Sequence, residues 1–92
     1  MKDYYAVLGI DSDATAGALK TAYRKKAAEF HPDRNAAPDA PARFRDIQEA
    51  YDLLSDAVKR QEYDENRRRS LLENPLETAQ QIWTTYMNKV LQ

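Results

Sequence analysis

Apolar residues return every three or four positions along most of this 92-residue chain, and no stretch alternates as a half-buried strand would. The pattern predicts an all-α fold. Tyr4 to Leu8 reads as a short opening helix, ended near Gly9 by the usual glycine signal. Thr15 is placed to cap a second helix whose stripe is Leu19, Ala22, Tyr23, Ala27 and Phe30. A third helix runs from about Ala42 to Leu54 on Phe44, Ile47, Tyr51 and Leu54. Ser55 or Asp56 then caps a short fourth helix that carries Val58 and Tyr63. The two long helices, about Thr15 to Phe30 and Ala42 to Leu54, should pack antiparallel, because neither can bury its stripe alone. Tyr5, Leu8, Leu19, Tyr23, Ala27, Phe30, Phe44, Ile47, Tyr51 and Leu54 are expected to form most of the core.

Prolines set the punctuation. Pro32 cannot continue a helix and biases His31 out of the helical region, so the second helix should end at about Phe30. His31 and Asp33 are thereby left exposed at a stiffened corner. Arg34 to Pro41 is too proline-broken for helix and reads as a loop. Residues 67–74 read as a basic linker around Arg67-Arg68-Arg69, closed by Asn74-Pro75, with Asn74 as N-cap and Pro75 at the first helical position. A last amphipathic helix, residues 75–92, carries Leu76, Ala79, Ile82, Trp83, Tyr86, Met87, Val90 and Leu91. So broad a stripe has three outlets: intramolecular docking, self-association through residues 75–91, or a further domain. Docking is preferred, with burial of Trp83 as its signature.

Size and charge narrow the classes. A chain of this length buries only about 60% of its unfolded surface, which means one small core. Cysteine is missing, so neither disulfides nor a thiolate metal site contributes. No apolar run nears the roughly 20 residues of a membrane span, and the first residues show no apolar signal region. A cytoplasmic setting is expected. With 14 basic and 15 acidic residues, a net charge of −1 argues against general nucleic-acid affinity. Yet Lys20, Arg24, Lys25, Lys26 and Arg34 gather around the first long helix.

His31 is the only histidine. Catalysis would need a nucleophile or second group in reach, and metal binding would need several ligands. No catalytic residue, metal site or cofactor is expected. Taken alone, His31-Pro32-Asp33 signals only a turn.

The blocks around that turn carry more. Asp3-Tyr4-Tyr5-Ala6-Val7-Leu8-Gly9-Ile10, Ala22-Tyr23-Arg24-Lys25-Lys26-Ala27, His31-Pro32-Asp33-Arg34-Asn35, Phe44 to Asp56, and Lys59 to Asp64 make residues 2–66 resemble a J-domain, the module of DnaJ-type co-chaperones. The resemblance implies a domain over residues 1–66 and a DnaK-class heat-shock chaperone as partner. It also implies stimulation of that partner's ATPase, with no chemistry of the chain's own. Asp33 would offer a carboxylate to a partner arginine, Pro32 would fix the corner and His31 orient it. Lys20, Arg24, Lys25, Arg34 and Asn35 complete the expected docking set, the basic helix steering toward an acidic surface. Glu29, Lys26, Gly17 and Ala57 depart from the family pattern, Glu29 weakening the positive field beside His31. No glycine/phenylalanine-rich linker or zinc module follows, so the chain reads as a minimal J-protein or the front of a longer one. The competing class is a small helical nucleic-acid-binding module built on the basic helix and Arg67 to Arg69, identifiable by steep salt dependence.

Overall fold

A computed structural model describes residues 2–90, with the side chain of Lys89 outside the description. Five helices follow in order: α1 Tyr4–Leu8, α2 Ala16–Phe30, α3 Ala40–Leu54, α4 Ala57–Glu73 and α5 Pro75–Val90. Among the described residues there is no strand.

Local chemistry sets most boundaries. The Asp3 carboxylate accepts from the Ala6 amide at 3.2 Å, and Gly9 closes α1 in the left-handed region at φ 75°. Thr15 Oγ1 accepts from the Ala18 amide at 3.1 Å and starts α2, which keeps its first turn despite Gly17. Asp56 caps α4, accepting from the Val58 and Lys59 amides at 2.9 and 3.1 Å. Helix α3 opens at Ala40, two residues before the position expected. Pro41 sits in its first turn, where no backbone donor is required, and Arg43 pairs with Asp39 at 2.7 Å across that turn.

The antiparallel α2–α3 pair is present, with α1 packed against both. Tyr5, Leu8, Leu19, Ile47, Ala50, Leu54 and Tyr63 form the buried cluster, and Tyr23, Ala27, Phe30 and Tyr51 pack at its margin. Tyr23 and Tyr51 stack at 4.1 Å with planes 14° apart. Phe44 corrects the expected core. It is half-buried in the first turns of α3, where it meets the end of α2 and not the middle of the stripe. Ala50 and Tyr63, absent from the expected core, are buried: alanine lets α3 approach closely, and the Tyr63 ring of α4 packs against Tyr4 and Tyr5 of α1.

The basic linker expected over residues 67–74 is a second correction. Residues 67–73 are helical, continuing α4 to Glu73. Between Ala57 and Glu73 there is no glycine or proline to stop it, and arginine, leucine and glutamate are good helix formers. The Asn74 amide closes the end on the Ser70 carbonyl at 2.8 Å. Three side chains bind α4 to the chain start. The Tyr63 hydroxyl donates to the Lys2 carbonyl at 2.5 Å and accepts from the Tyr4 amide at 3.1 Å. Arg60 bonds the Ser12 and Ala14 carbonyls at 3.2 and 2.7 Å and lies over the Tyr5 ring. Arg67 reaches buried Asp3 at 3.4 Å and also lies over Tyr5.

Helix α5 folds back on α4 and α1, the Thr78 hydroxyl donating to the Ser70 carbonyl at 3.1 Å. The expected signature fails, however, because Trp83 is 61% exposed. Thr78 is the buried residue of α5, Ile82 and Thr85 are half-buried, and Ala79, Trp83 and Tyr86 border a cleft against Ile10, Arg67 and Leu71 while staying exposed. Leu91, part of the expected stripe, lies outside the described residues.

The tyrosine cluster makes folding sensitive to alkali. The bond to Glu49 at 2.7 Å, then burial, push the Tyr4 phenol up to about 12. Burial, then the bond to Asp64, push Tyr5 up to about 12 against the opposing pull of Arg60, and burial raises Tyr63. Unfolded tyrosines ionise near 10, so the stability these phenols confer is complete below about pH 10 and is lost as pH climbs toward 12. Urea midpoints should fall steadily over that window, and Tyr4→Phe should flatten the fall. A midpoint level from pH 10 to 12 would contradict the linkage.

Candidate functional site

Helix α2 stops because His31 takes extended geometry, φ −61° and ψ 130°, ahead of Pro32. The chain then makes one tight turn in which the Arg34 and Asn35 amides both donate to the His31 carbonyl at 2.9 Å. The Asp33 amide donates to His31 Nδ1 at 3.2 Å. That bond occupies the Nδ1 lone pair, so the neutral ring carries its proton on Nε2. The Asp33 carboxylate stands 3.7 Å from Nδ1 and its side chain is 89% exposed, against 44% for His31.

The imidazole is held from below as well. Its ring meets the Phe44 ring at 5.1 Å with planes 74° apart, an edge-to-face contact. Phe30, one residue before the corner, lies under two cations, Lys26 at 5.9 Å and Arg43 at 5.2 Å from its ring centre. Lys26 therefore spends its charge over an aromatic face and near Glu29, 3.9 Å away.

Asn35 belongs to the brace of this corner. Its amide nitrogen donates to the Glu29 carbonyl at 3.1 Å, satisfying a free carbonyl of the last α2 turn, and its oxygen accepts from the Ala37 amide at 3.0 Å. In sequence it is simply the residue after Arg34. Its two-sided bonding appears only once the loop has turned back over the helix end.

Lys20, Arg24, Lys25 and Arg34 are all exposed. Lys20 and Arg24 stand one turn apart on α2, and the eleven residue steps from Lys20 to His31 make about three turns, or roughly 16 Å. One side of the helix thus leads from positive charge to the His31 corner. The Arg67 to Arg69 run is not a comparable patch. Successive helical residues point about 100° apart, and Arg67 turns inward to Asp3 and Tyr5 while Arg68 and Arg69 face solvent.

A helical hairpin ending in a proline-locked His-Pro-Asp corner, with a basic flank and a third helix clamped to the chain start, defines a J-domain. The DnaJ domain family model matches residues 3–64, and the chain belongs to that family. Among its relatives, the chaperone protein DnaJ of Pediococcus pentosaceus is 50% identical over 64 residues, covering 70% of this chain and 17% of that protein. The Salinibacter ruber chaperone protein DnaJ is 54% identical over 65 residues, with the same coverage. DnaJ homolog subfamily B member 5 of Mus musculus is 53% identical over 64 residues, covering 70% of this chain and 18% of its own. The chain spans less than a fifth of the length of these relatives. The later part of α4 and all of α5 lie beyond the family match.

Asn35→Ala removes both braces and leaves the carbonyl of Glu29 and the amide of Ala37 to water. The expected cost is about 1 kcal/mol, a drop in thermal midpoint of about 4–8 °C for a domain of this size, with faster hydrogen exchange at the Ala37 amide. An unchanged midpoint and exchange rate would show that the corner is held without Asn35.

Proposed function

We propose that this chain docks on a DnaK-class heat-shock chaperone through His31, Pro32 and Asp33 and accelerates its ATP hydrolysis, promoting client capture. The observation that carries the proposal is the Asp33 carboxylate, 89% exposed on a corner whose backbone is fixed by Pro32 and by bonds to His31. A carboxylate so presented suits a bidentate, charge-assisted pairing with an arginine. Preorganisation matters because a mobile loop would have to be ordered on binding, at a cost to affinity.

Lys20, Arg24, Lys25 and Arg34 serve encounter. Exposed charges at an interface rim act mainly on the association rate and its salt dependence. Docking changes the partner's hydrolysis only to the extent that it favours the hydrolysis-competent state over the resting one. The chain thus contributes binding energy in place of reacting groups. A nucleic-acid role has less support. It relied on a basic run from which Arg67 is withdrawn, in a chain of net charge −1.

Asp33→Asn and His31→Gln should each abolish stimulation of a purified DnaK-class ATPase. Asp33 is a surface position where stability shifts stay within about 0.5 kcal/mol, so its thermal midpoint should hold. Normal stimulation by Asp33→Asn would reduce the motif to a turn. Charge reversal at Lys20, Arg24 or Lys25 should slow association and weaken its dependence on salt, and Glu29→Lys should speed it. Identical rates for all four across a salt series would make this face an ordinary solvated one.

A further inference from the structure

Between α5, the chain start and the later part of α4 runs a cleft of about 620 Å³, to which the His31 corner contributes nothing. That volume falls within the range of small-molecule sites, about 300–1,000 Å³. Ile82, Trp83 and Tyr86 supply one wall, and Ala6, Ile10 and Leu71 stand on the other elements. The Trp83 and Tyr86 rings lie 5.9 Å apart and 29° from parallel, and Trp83 stays 61% exposed. Much of the indole is therefore open to a ligand. The α5 wall lies beyond the family match.

Three charged side chains line the cleft: Asp3, Asp11 and Arg67. Asp3 and Arg67 offset each other. Asp3 is buried, caps α1 and meets Arg67 at 3.4 Å, and the guanidinium also lies over the Tyr5 ring. The Arg67 Nε has no acceptor among the described residues, but it is buried and out of a ligand's reach. Asp11 is different. It is exposed, and its carboxylate has no hydrogen bond or ion pair among the described residues. The cleft thus combines one uncommitted negative charge with two aromatic rings.

We propose that this cleft binds a small organic cation, a quaternary ammonium that carries an apolar body. Aromatic faces attract cations, indole most strongly, and the Asp11 carboxylate adds charge of the complementary sign. A primary ammonium brings three N–H donors to satisfy, more than one free carboxylate can meet. A quaternary nitrogen brings none. Its apolar body would lie against Ile10, Leu71 and Ile82. An anion would meet Asp11 and Asp3, and a neutral ligand would leave the carboxylate unused. The site is separate from the proposed chaperone docking, and neither reading depends on the other.

The probe is benzyltrimethylammonium, titrated into the 92-residue chain and followed by backbone amide resonances. Shifts should saturate with a Kd on the order of 1 mM or tighter and centre on residues 10–12 and 79–86. 3-Phenylpropionate, an aromatic anion of similar size, should bind at least about tenfold more weakly, by repulsion from Asp11. Asp11→Asn and Trp83→Leu should each weaken benzyltrimethylammonium about 5-fold. Both positions are exposed, so helix content by circular dichroism should hold. Trimethyllysine, acetylated and amidated, offers the same head group as a polypeptide would and should bind more weakly, having no ring to fill the cleft. Shifts that never saturate, equal binding of phenylpropionate, tighter binding of the trimethyllysine derivative, or undiminished binding by either variant would each overturn the proposal.

Discussion

Everything in this domain depends on α2 and α3 burying each other. Each is amphipathic, and neither stripe can leave water without the other. Leu19 comes from one helix and Ile47, Ala50 and Leu54 from the other, with Tyr23 stacked on Tyr51 where the pair reaches its margin. The sum of such burial far exceeds the worth of any exposed ion pair in the molecule. The hairpin's end is where this packing meets the proposed docking corner. Phe30, just before the turn, and Phe44, in α3 just after it, support the close of α2 and the His31 ring, so the corner stands on packed side chains.

The second structural level is the clamp from α4. Tyr63, Arg60 and Arg67 bond backbone and side chains at the start of the chain, including Asp3, the cap of α1. Sequence separations near 60 residues are thereby closed by polar contacts around the Tyr5 ring. Because α4 runs on past the family match, Arg67 extends the clamp and brings Ser70 to the point where Thr78 anchors α5. The additional helix is thus tied through α4 to the part of the chain that the family model matches, with Leu76, Trp83 and Val90 left exposed.

What could be read from sequence follows from how local each feature is. Helix periods, the Thr15 and Asp56 caps, the Gly9 stop and the Pro32 break are decided within a few residues, and the structure bears them out. Long-range geometry was less legible. Arg67 looked like linker charge because its partner Asp3 is 64 residues away. Phe44 fits the stripe of α3 by spacing, but its position near the helix start gives it to His31. Trp83 looked destined for burial, since periodicity identifies an apolar face without saying which neighbour covers it. At the corner, Asn35 could be named but its bracing role could not, because that depends on the path of the loop.

The central claim is that the corner after α2, with the basic face leading to it, is the docking surface. It is tested most directly by following backbone amide resonances while an ATP-bound DnaK-class chaperone is added. The account predicts changes concentrated between Lys20 and Asn35, fading as salt is raised, with α4 beyond Tyr63 and α5 little affected. Changes confined to residues 67–90, with His31 and Asp33 silent, would contradict it.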